Sequence, residues 1–526
     1  TGSLLALIAY PFLIEPVLGA SEQSLYWLAA YILLVASVVF AGAILWRRRA
    51  EVLQTPQVSS VPPPGFQTRI YWLLAAFVPS GLMLAVTTHI SVNLVAMPLV
   101  WTLPLGVYLL TFILAFGRTI RVTSRRVAQL SLPLIVLLCP VVGIRVPVNL
   151  SIDVVLISIH LVLLFVGCLL CHTALAEARP DRSHLTGYYV WIAAGGALGG
   201  VFAAIAAPVL FTSIFEYPLL LALTLFFRQG SGRTSWAIAG AMACLVLGYA
   251  LYLPSVLGEK GETVVATRNF FGMKRVIDSG GVRKLLHGDT LHGMENLAAE
   301  SAGKPLIYYH SDGPLGDVLA MMQNRQNQQV AVVGLGAGSI AAYAGPGRHV
   351  TFFEIDPEVE AIARRSFTFL QRCGGDCDVV LSDGRLAIAQ APEGVFDLIV
   401  LDAFSSDAIP AHLVSREALG VYLSRLKPDG VLLFHVSSRY LKVRELVSAL
   451  ITTAGLQSLE RVERYQGEDP GRSDSMYVVS AKNRDALSDL GSRGTWEVAD
   501  VSGNIRVWTD DYSSLVDLLQ WESELR

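Results

Sequence analysis

Lysine is missing from the first 255 residues of this 526-residue chain, and acids are nearly so. That stretch carries about 20 charged side chains, against about 63 in residues 256–526. The contrast excludes a single soluble globule, and the apolar excess excludes a disordered chain. Cysteine is scarce as well: six in the whole chain make no disulfide framework. The net charge of −3 divides into roughly +6 on the first part and −9 on the second. The charged half is mildly acidic and has no nucleic-acid footprint. Its roughly 270 residues are enough to bury a full α/β core.

What fills residues 1–255 is a series of apolar runs long enough to cross a bilayer. They fall at about 3–19, 25–46, 70–88, 93–116, 128–147, 151–176, 187–210, 214–227 and 236–254, which predicts eight or nine spans. Arginines mark alternate connections: Arg47 to Arg49, then Arg118, Arg121, Arg125 and Arg126, then Arg179 and Arg182, then Arg228 and Arg233. This is a positive-inside pattern. Counted span by span, it carries the second half outside, unless one of the late spans is re-entrant or split; the cytoplasmic side is the expectation adopted. Glu15, Glu216 and His160 lie within apolar runs, where an ionisable side chain is either a functional group or a packed polar contact. Gly195, Gly196, Gly199 and Gly200 would let helices pack closely.

The second half opens with a segment alternating apolar and polar residues between glycine turns, residues 262–297, which predicts short antiparallel strands. An α/β pattern follows. VAVVG (330–334), HVTFFEID (349–356), CDVVLSDG (377–384), FDLIVLDAF (396–404) and GVLLFHVS (430–437) read as strands, with helices from about 358 and over 415–426. GLGAGS (334–339) reads as a glycine-rich turn into a helix. Such alternation implies a parallel, doubly wound sheet, whose ligands bind at the carboxyl ends of the strands. At those ends stand Gly334, Gly336 and Gly338, which allow close backbone approach to a ligand, and a row of acids. Glu354 can accept from a ribose diol, Asp383 before Gly384 from an adenine amino group, and Asp402 or Asp407 faces the reacting end. Each acid alone could be a helix cap. Cys373 and Cys377 are expected as free thiols, a disulfide being the sign of an external domain.

YYHSDGPLGD (308–317), GLGAGS, FFEIDPEV, SDGR and LDAFSSDAIPAHL make residues 262–482 resemble a spermidine synthase. The whole chain resembles bacterial proteins in which that domain follows a transporter-like membrane region. The resemblance implies a multi-pass α-helical membrane domain (1–255), a β-hairpin segment (256–300) and an α/β class I methyltransferase-like, spermidine synthase-type catalytic domain (301–526). It implies a bacterial inner-membrane protein that binds S-adenosylmethionine or its decarboxylated form as substrate, with putrescine or another amine as acceptor. No metal is called for, because the sulfonium is already a good leaving group; homo-oligomer formation is left open. Glu354 and Asp383 would hold the nucleoside and Asp402 or Asp407 would serve as base, with Tyr309 and His310 nearby. Without a gap, Ser405 falls where the family has its second acid, so Asp407 serves only if the loop is rebuilt.

The chain also departs from the family. Ala337 replaces the family's acid in the glycine loop, which removes a partner for a lone amine and a repulsion against a carboxylate. The hairpin carries His287, Asp289 and His292 in place of the family's acceptor-binding glutamine. Four functions are therefore open: an aminopropyltransferase-like enzyme releasing methylthioadenosine, a lyase or cyclase acting on S-adenosylmethionine alone, a methyltransferase, and a transporter with a nucleoside- or polyamine-sensing domain. Asp510, Asp511 and Tyr512 read as a lid or a capped helix start.

Overall fold

The computed structural model describes residues 2–52, 62–95, 98–117, 124–143, 150–227, 233–257, 261–288, 290–403, 409–465, 467, 469–499 and 505–520. Among them, seven helices are long and apolar enough to cross a membrane. They are built on α1 (Ala20–Val52), α2 (Phe66–Asn93), α3 (Thr102–Phe116), α4 (Ser124–Leu138), α5 (Leu150–Glu177), α6 (Leu185–Val201) and α8 (Arg233–Leu257). The runs at 3–19 and 214–227 form only short apolar helices, the second beginning as α7 (Glu216–Thr224). The small residues of α6 have a packing role. A Cβ on Gly195 or Gly199 would come within 2.2 Å of the Leu73 or Phe77 carbonyl of α2, so only glycine lets the two backbones approach this closely.

The charged half folds as two sheets. Strands β1 (Glu262–Asn269), β2 (Gly272–Ser279), β3 (Val282–His287) and β4 (Thr290–Asn296) pair antiparallel in sequence order. The second sheet comprises β5 (Gln328–Val333), β6 (Arg348–Glu354), β7 (Cys377–Leu381), β8 (Phe396–Leu401), β9 (Leu426–His435), β10 (Ser458–Glu463), β11 (Ser475–Ala481) and β12 (Glu497–Val498), in spatial order β12-β10-β11-β9-β8-β5-β6-β7. β7, β6, β5, β8 and β9 run parallel, and β11 returns antiparallel beside β9. This is the class I methyltransferase-like arrangement. Its central strands β5, β8 and β9 are apolar at successive positions because both faces are covered. Val330, Val332, Leu398, Val400, Val431 and Leu433 pack on one side. Ala331, Val333, Ile399, Leu401, Leu432 and Phe434 pack on the other. Strand order reverses between β5 and β8, where a ligand crevice forms at the carboxyl edge.

Two expectations are corrected. The glycine-rich turn leads not into an α-helix but into a single 3-10 turn, Ser339–Tyr343, closed by Ala344 in extended backbone. Cys373 and Cys377 are not free thiols. They form a disulfide across the tight turn that carries Gly374 and Gly375, both at positive φ.

The two halves touch through named contacts. Arg268 of β1 donates to both Glu216 oxygens at 2.8 and 3.0 Å and to the Ser213 carbonyl at 3.0 Å. The Tyr440 hydroxyl donates to Asp153 at 2.8 Å and to the Leu94 carbonyl at 3.2 Å. Asp511 accepts from the Ser21 N–H and hydroxyl at the start of α1, and the Tyr512 hydroxyl donates to the Pro16 carbonyl. Glu216 thus anchors β1 of the charged half to the helical half. Asp511 and Tyr512 are interdomain contacts, while Asp510 pairs with Arg385 and Ser415. None of the three lines the cavity described next.

Candidate active site

A cavity of about 420 Å³ opens at the carboxyl ends of β5, β6, β7, β8 and β9, under a wall supplied by β2, β3 and β4. Of the residues singled out in the sequence, His287, His292, Tyr309, Gly334, Gly336, Glu354, Asp383, Gly384 and Asp402 line it. Ala337, Gly338 and His310 do not. The Ala337 side chain turns away into the hairpin, where Gly293 of β4 leaves it room. Gly338 opens the 3-10 turn at φ +83° and packs on Leu370. The His310 ring instead accepts the Asp312 N–H at 3.2 Å. Asp407 and Asp289 lie outside the described residues.

The glycine loop works by proximity. Gly334 has φ +98°, and a Cβ there would stand 2.4 Å from the Asp402 carbonyl. Gly336 has φ +55° and lies against the His292 carbonyl of the hairpin. Both positions need glycine for backbone conformation and for space.

At the β6 end, Glu354 is 8% exposed. Its carboxylate accepts the Leu335 N–H at 3.0 Å and the Asp356 N–H at 2.9 Å. Burial raises its pKa above the ordinary glutamate value, and these backbone hydrogen bonds oppose the rise. Asp356 beside it caps the helix Pro357–Ser366 and pairs with the buried Lys274 of β2. Asp383, after β7, accepts the Leu386 N–H at 2.9 Å and contacts the His412 ring at 3.0 Å. Its capping of the helix Gly384–Gln390 coexists with a place on the cavity wall. Gly384 abuts the Val333 side chain, which would meet an added Cβ at 2.4 Å.

At the other end, Asp402 closes β8. The Tyr309 hydroxyl donates to its Oδ2 at 2.6 Å, and the His435 ring meets its Oδ1 at 2.6 Å through Nδ1. Burial, and next the Asp402 charge, push the Tyr309 phenol well above its usual range, so it stays a neutral donor. Enclosure by the hairpin pushes His292 down to about 3 and lowers His287 too, which leaves both rings neutral near pH 7. The cavity therefore has two carboxylate acceptors, Glu354 and Asp383, at one end and a carboxylate–imidazole pair at the other.

Sequence reading passed over Lys274, Asp356, His412, His435, Ser437 and Arg439, which all line the cavity. His435 had a signal: it is the polar residue ending the fully buried run Val431–Phe434, at the same sheet edge as the acids. Lys274 had none, because only the fold of β2 over β6 brings it to Asp356.

No family model matches the chain. A polyamine aminopropyltransferase of Vibrio vulnificus is 33% identical over 123 residues, 22% of this chain and 40% of that protein. A probable polyamine aminopropyl transferase of Bifidobacterium longum is 24% identical over 226 residues, 42% of this chain and 46% of that protein. The chain resembles the spermidine synthases, with a bundle of membrane-length helices fused ahead of the sheet domain. It spans less than half the length of these curated relatives. Among solved structures, the spermidine synthase of Thermotoga maritima aligns at 14% identity and TM-score 0.34, over 48% of this chain and 84% of that one. A probable spermidine synthase of Corynebacterium glutamicum aligns at 13% and 0.35, over 48% and 98%.

Proposed function

We propose that this chain is a multi-pass enzyme of the bacterial inner membrane, of the aminopropyltransferase type. It cleaves the sulfonium C–S bond of decarboxylated or intact S-adenosylmethionine and releases methylthioadenosine. The observation that carries this reading is one cavity holding Glu354, Asp383 and Asp402, with the nucleoside acceptors on one side of the switch point and Asp402 on the other. Glu354 would take the ribose hydroxyls and Asp383 the adenine amino group, seating the sulfonium toward Asp402 and the rings of Tyr308 and Tyr309. Putrescine or another amine then attacks the carbon beside sulfur in line. Alignment and proton removal are what the protein must supply, since the leaving group is already cationic. Similarity to two polyamine aminopropyltransferases supports this class over the methyltransferase reading.

The test is product analysis on the purified full chain, with each nucleoside, with and without putrescine. Methylthioadenosine that requires the amine is the expected result. Methylthioadenosine without amine would make the enzyme a lyase or cyclase. S-adenosylhomocysteine would make it a methyltransferase, and binding without turnover a sensor.

A further inference from the structure

His435 is held on every side. Its Nδ1 meets Asp402 Oδ1 at 2.6 Å, and its Nε2 meets the Ser437 hydroxyl at 2.7 Å. A carboxylate only accepts, so Nδ1 carries a proton; with Nε2 unprotonated, that nitrogen accepts from the Ser437 hydroxyl. Ser437 Oγ in turn accepts the Met476 N–H at 2.8 Å, which aims its own proton at Nε2. The imidazole lies between the rings of Tyr308 and Tyr477, with centroids at 4.9 and 4.6 Å and interplanar angles of 29° and 15°. Both His435 and Ser437 line the cavity beside Asp402. Each Asp402 oxygen already takes a hydrogen bond, one from Tyr309 and one from His435. The titratable and charged groups around the ring are Asp402, Tyr308, Tyr309, Tyr477 and His292, with Arg439 and Asp474 further along the same wall.

We propose that Ser437, His435 and Asp402 form a proton relay for the reacting amine. The assignment rests on the aminopropyltransferase-type reading. The amine lone pair, freed when the incoming ammonium loses a proton, forms the new N–C bond while the C–S pair returns to sulfur, leaving neutral methylthioadenosine. That proton of the incoming ammonium passes to Ser437 Oγ as the Ser437 proton passes to His435 Nε2. The imidazolium so formed is paired with Asp402 and faced by two aromatic rings, both of which favour the charged form.

His435→Gln should lower kcat with decarboxylated S-adenosylmethionine and putrescine by roughly 10²- to 10⁴-fold. Affinity for methylthioadenosine should stay unchanged, and the acid limb of the pH–kcat profile should vanish. Ser437→Ala should show the same loss and Ser437→Thr should restore much of it. An unchanged acid limb in His435→Gln, or wild-type kcat in Ser437→Ala, overturns the relay. Absence of any methylthioadenosine from the wild-type chain instead sinks the parent reading.

The bundle itself has two unlike ends. At one end, the Trp72 indole of early α2 donates to the Ala178 carbonyl after α5, and the Tyr188 hydroxyl of early α6 donates to the Leu175 carbonyl. Trp72, Phe116, Leu185 and Phe227 share one apolar cluster there, and Val127 of α4 packs near Leu170 of late α5. Among the described residues, Arg69, Arg125, Arg126, Arg179, Arg182 and Arg233 all fall at that end. The soluble domain docks on the opposite end, at Ser21, Leu94, Asp153 and Glu216. Within α1, Ser21 is at the docking end, whereas Arg47 lies roughly 40 Å along the helix at 1.5 Å per residue. Among the described residues, no arginine of the first 255 falls at the docking end; Arg145 lies outside the described residues.

Arginine-rich ends of membrane bundles stay in the cytoplasm. We therefore infer that the soluble domain faces the non-cytoplasmic side, contrary to the expectation adopted from the sequence. The Cys373–Cys377 disulfide agrees, since such bonds persist in oxidising compartments. Joined to the proposed function, this orientation requires a step that moves the adenosyl sulfonium across the membrane before it reacts. The test uses the full chain with Cys244→Ser, carrying either Asp485→Cys on the soluble domain or Thr68→Cys at the arginine end, both exposed positions. A membrane-impermeant maleimide, located by peptide mass, should tag Asp485→Cys in intact spheroplasts and Thr68→Cys only after lysis. Protection of Asp485→Cys until lysis overturns the orientation, whatever the enzyme's activity proves to be.

Discussion

Glu354→Gln is the sharpest probe of the proposed nucleoside end. The carboxylate offers about four acceptor sites, and the Leu335 and Asp356 N–H groups occupy two. Two sites remain, which matches a ribose diol. Glutamine keeps one oxygen and puts an NH₂ where the second stood, so a donor would face either a backbone N–H or a ribose hydroxyl. Hydrogen bonds to a charged group contribute about 1.5–3 kcal/mol each. Losing one on binding should weaken methylthioadenosine by roughly 10- to 100-fold. Isothermal titration on the detergent-solubilised chain measures this, with thermal unfolding run alongside. The pH dependence adds a second reading. Burial raises the Glu354 pKa, so the charged form costs stability: the contribution favouring folding is present below the ordinary glutamate value and is lost as pH rises through the folded value. Binding needs the charged form. Affinity should therefore begin to fall, on acidification, at a higher pH than an ordinary glutamate would dictate. A Glu354→Gln protein that is as stable as wild type and binds methylthioadenosine equally well would refute the assignment.

His292→Asn should leave the pH–rate profile between about pH 5 and 8 unchanged, because a ring pushed down to about 3 does not titrate there; a lost limb would show that His292 carries the proton. Gly334→Ala should cost about 10²-fold in turnover, since relieving the contact with the Asp402 carbonyl displaces the acid by a substantial fraction of an ångström; wild-type kinetics would show that the loop does not position Asp402. Arg268→Ala leaves the fully buried Glu216 without its cation and should destabilise the chain by about 3–5 kcal/mol in chemical denaturation; a loss under about 1 kcal/mol would mean the pair does not anchor the halves.

The three acids of the cavity wall were legible because a parallel sheet forces them into one place. Each closes a strand whose apolar run is readable, and every such strand delivers its carboxyl end to the same edge. Glu354, Asp383 and Asp402 needed only that rule. Ala337 shows where it stops. Counting along the loop put that residue beside the ligand, but the positive φ of Gly336 and Gly338 turns the chain, and Ala337 buries itself against Gly293. His435 was adjacent to a recognised strand, yet its meaning lies in partners 33 residues back and two residues on.

The sequence by itself determined the two-part organisation, the class of fold and the rim of acids. Those follow from hydrophobic periodicity and charge density, which act locally and need no knowledge of contacts. Tertiary structure alone decided which side chains meet across strands: Lys274 on Asp356, His435 between two tyrosines, Arg268 on Glu216. It also decided which end of the helical bundle carries the soluble domain. Such pairings depend on distances between segments far apart in the chain, and only the packed fold sets those distances.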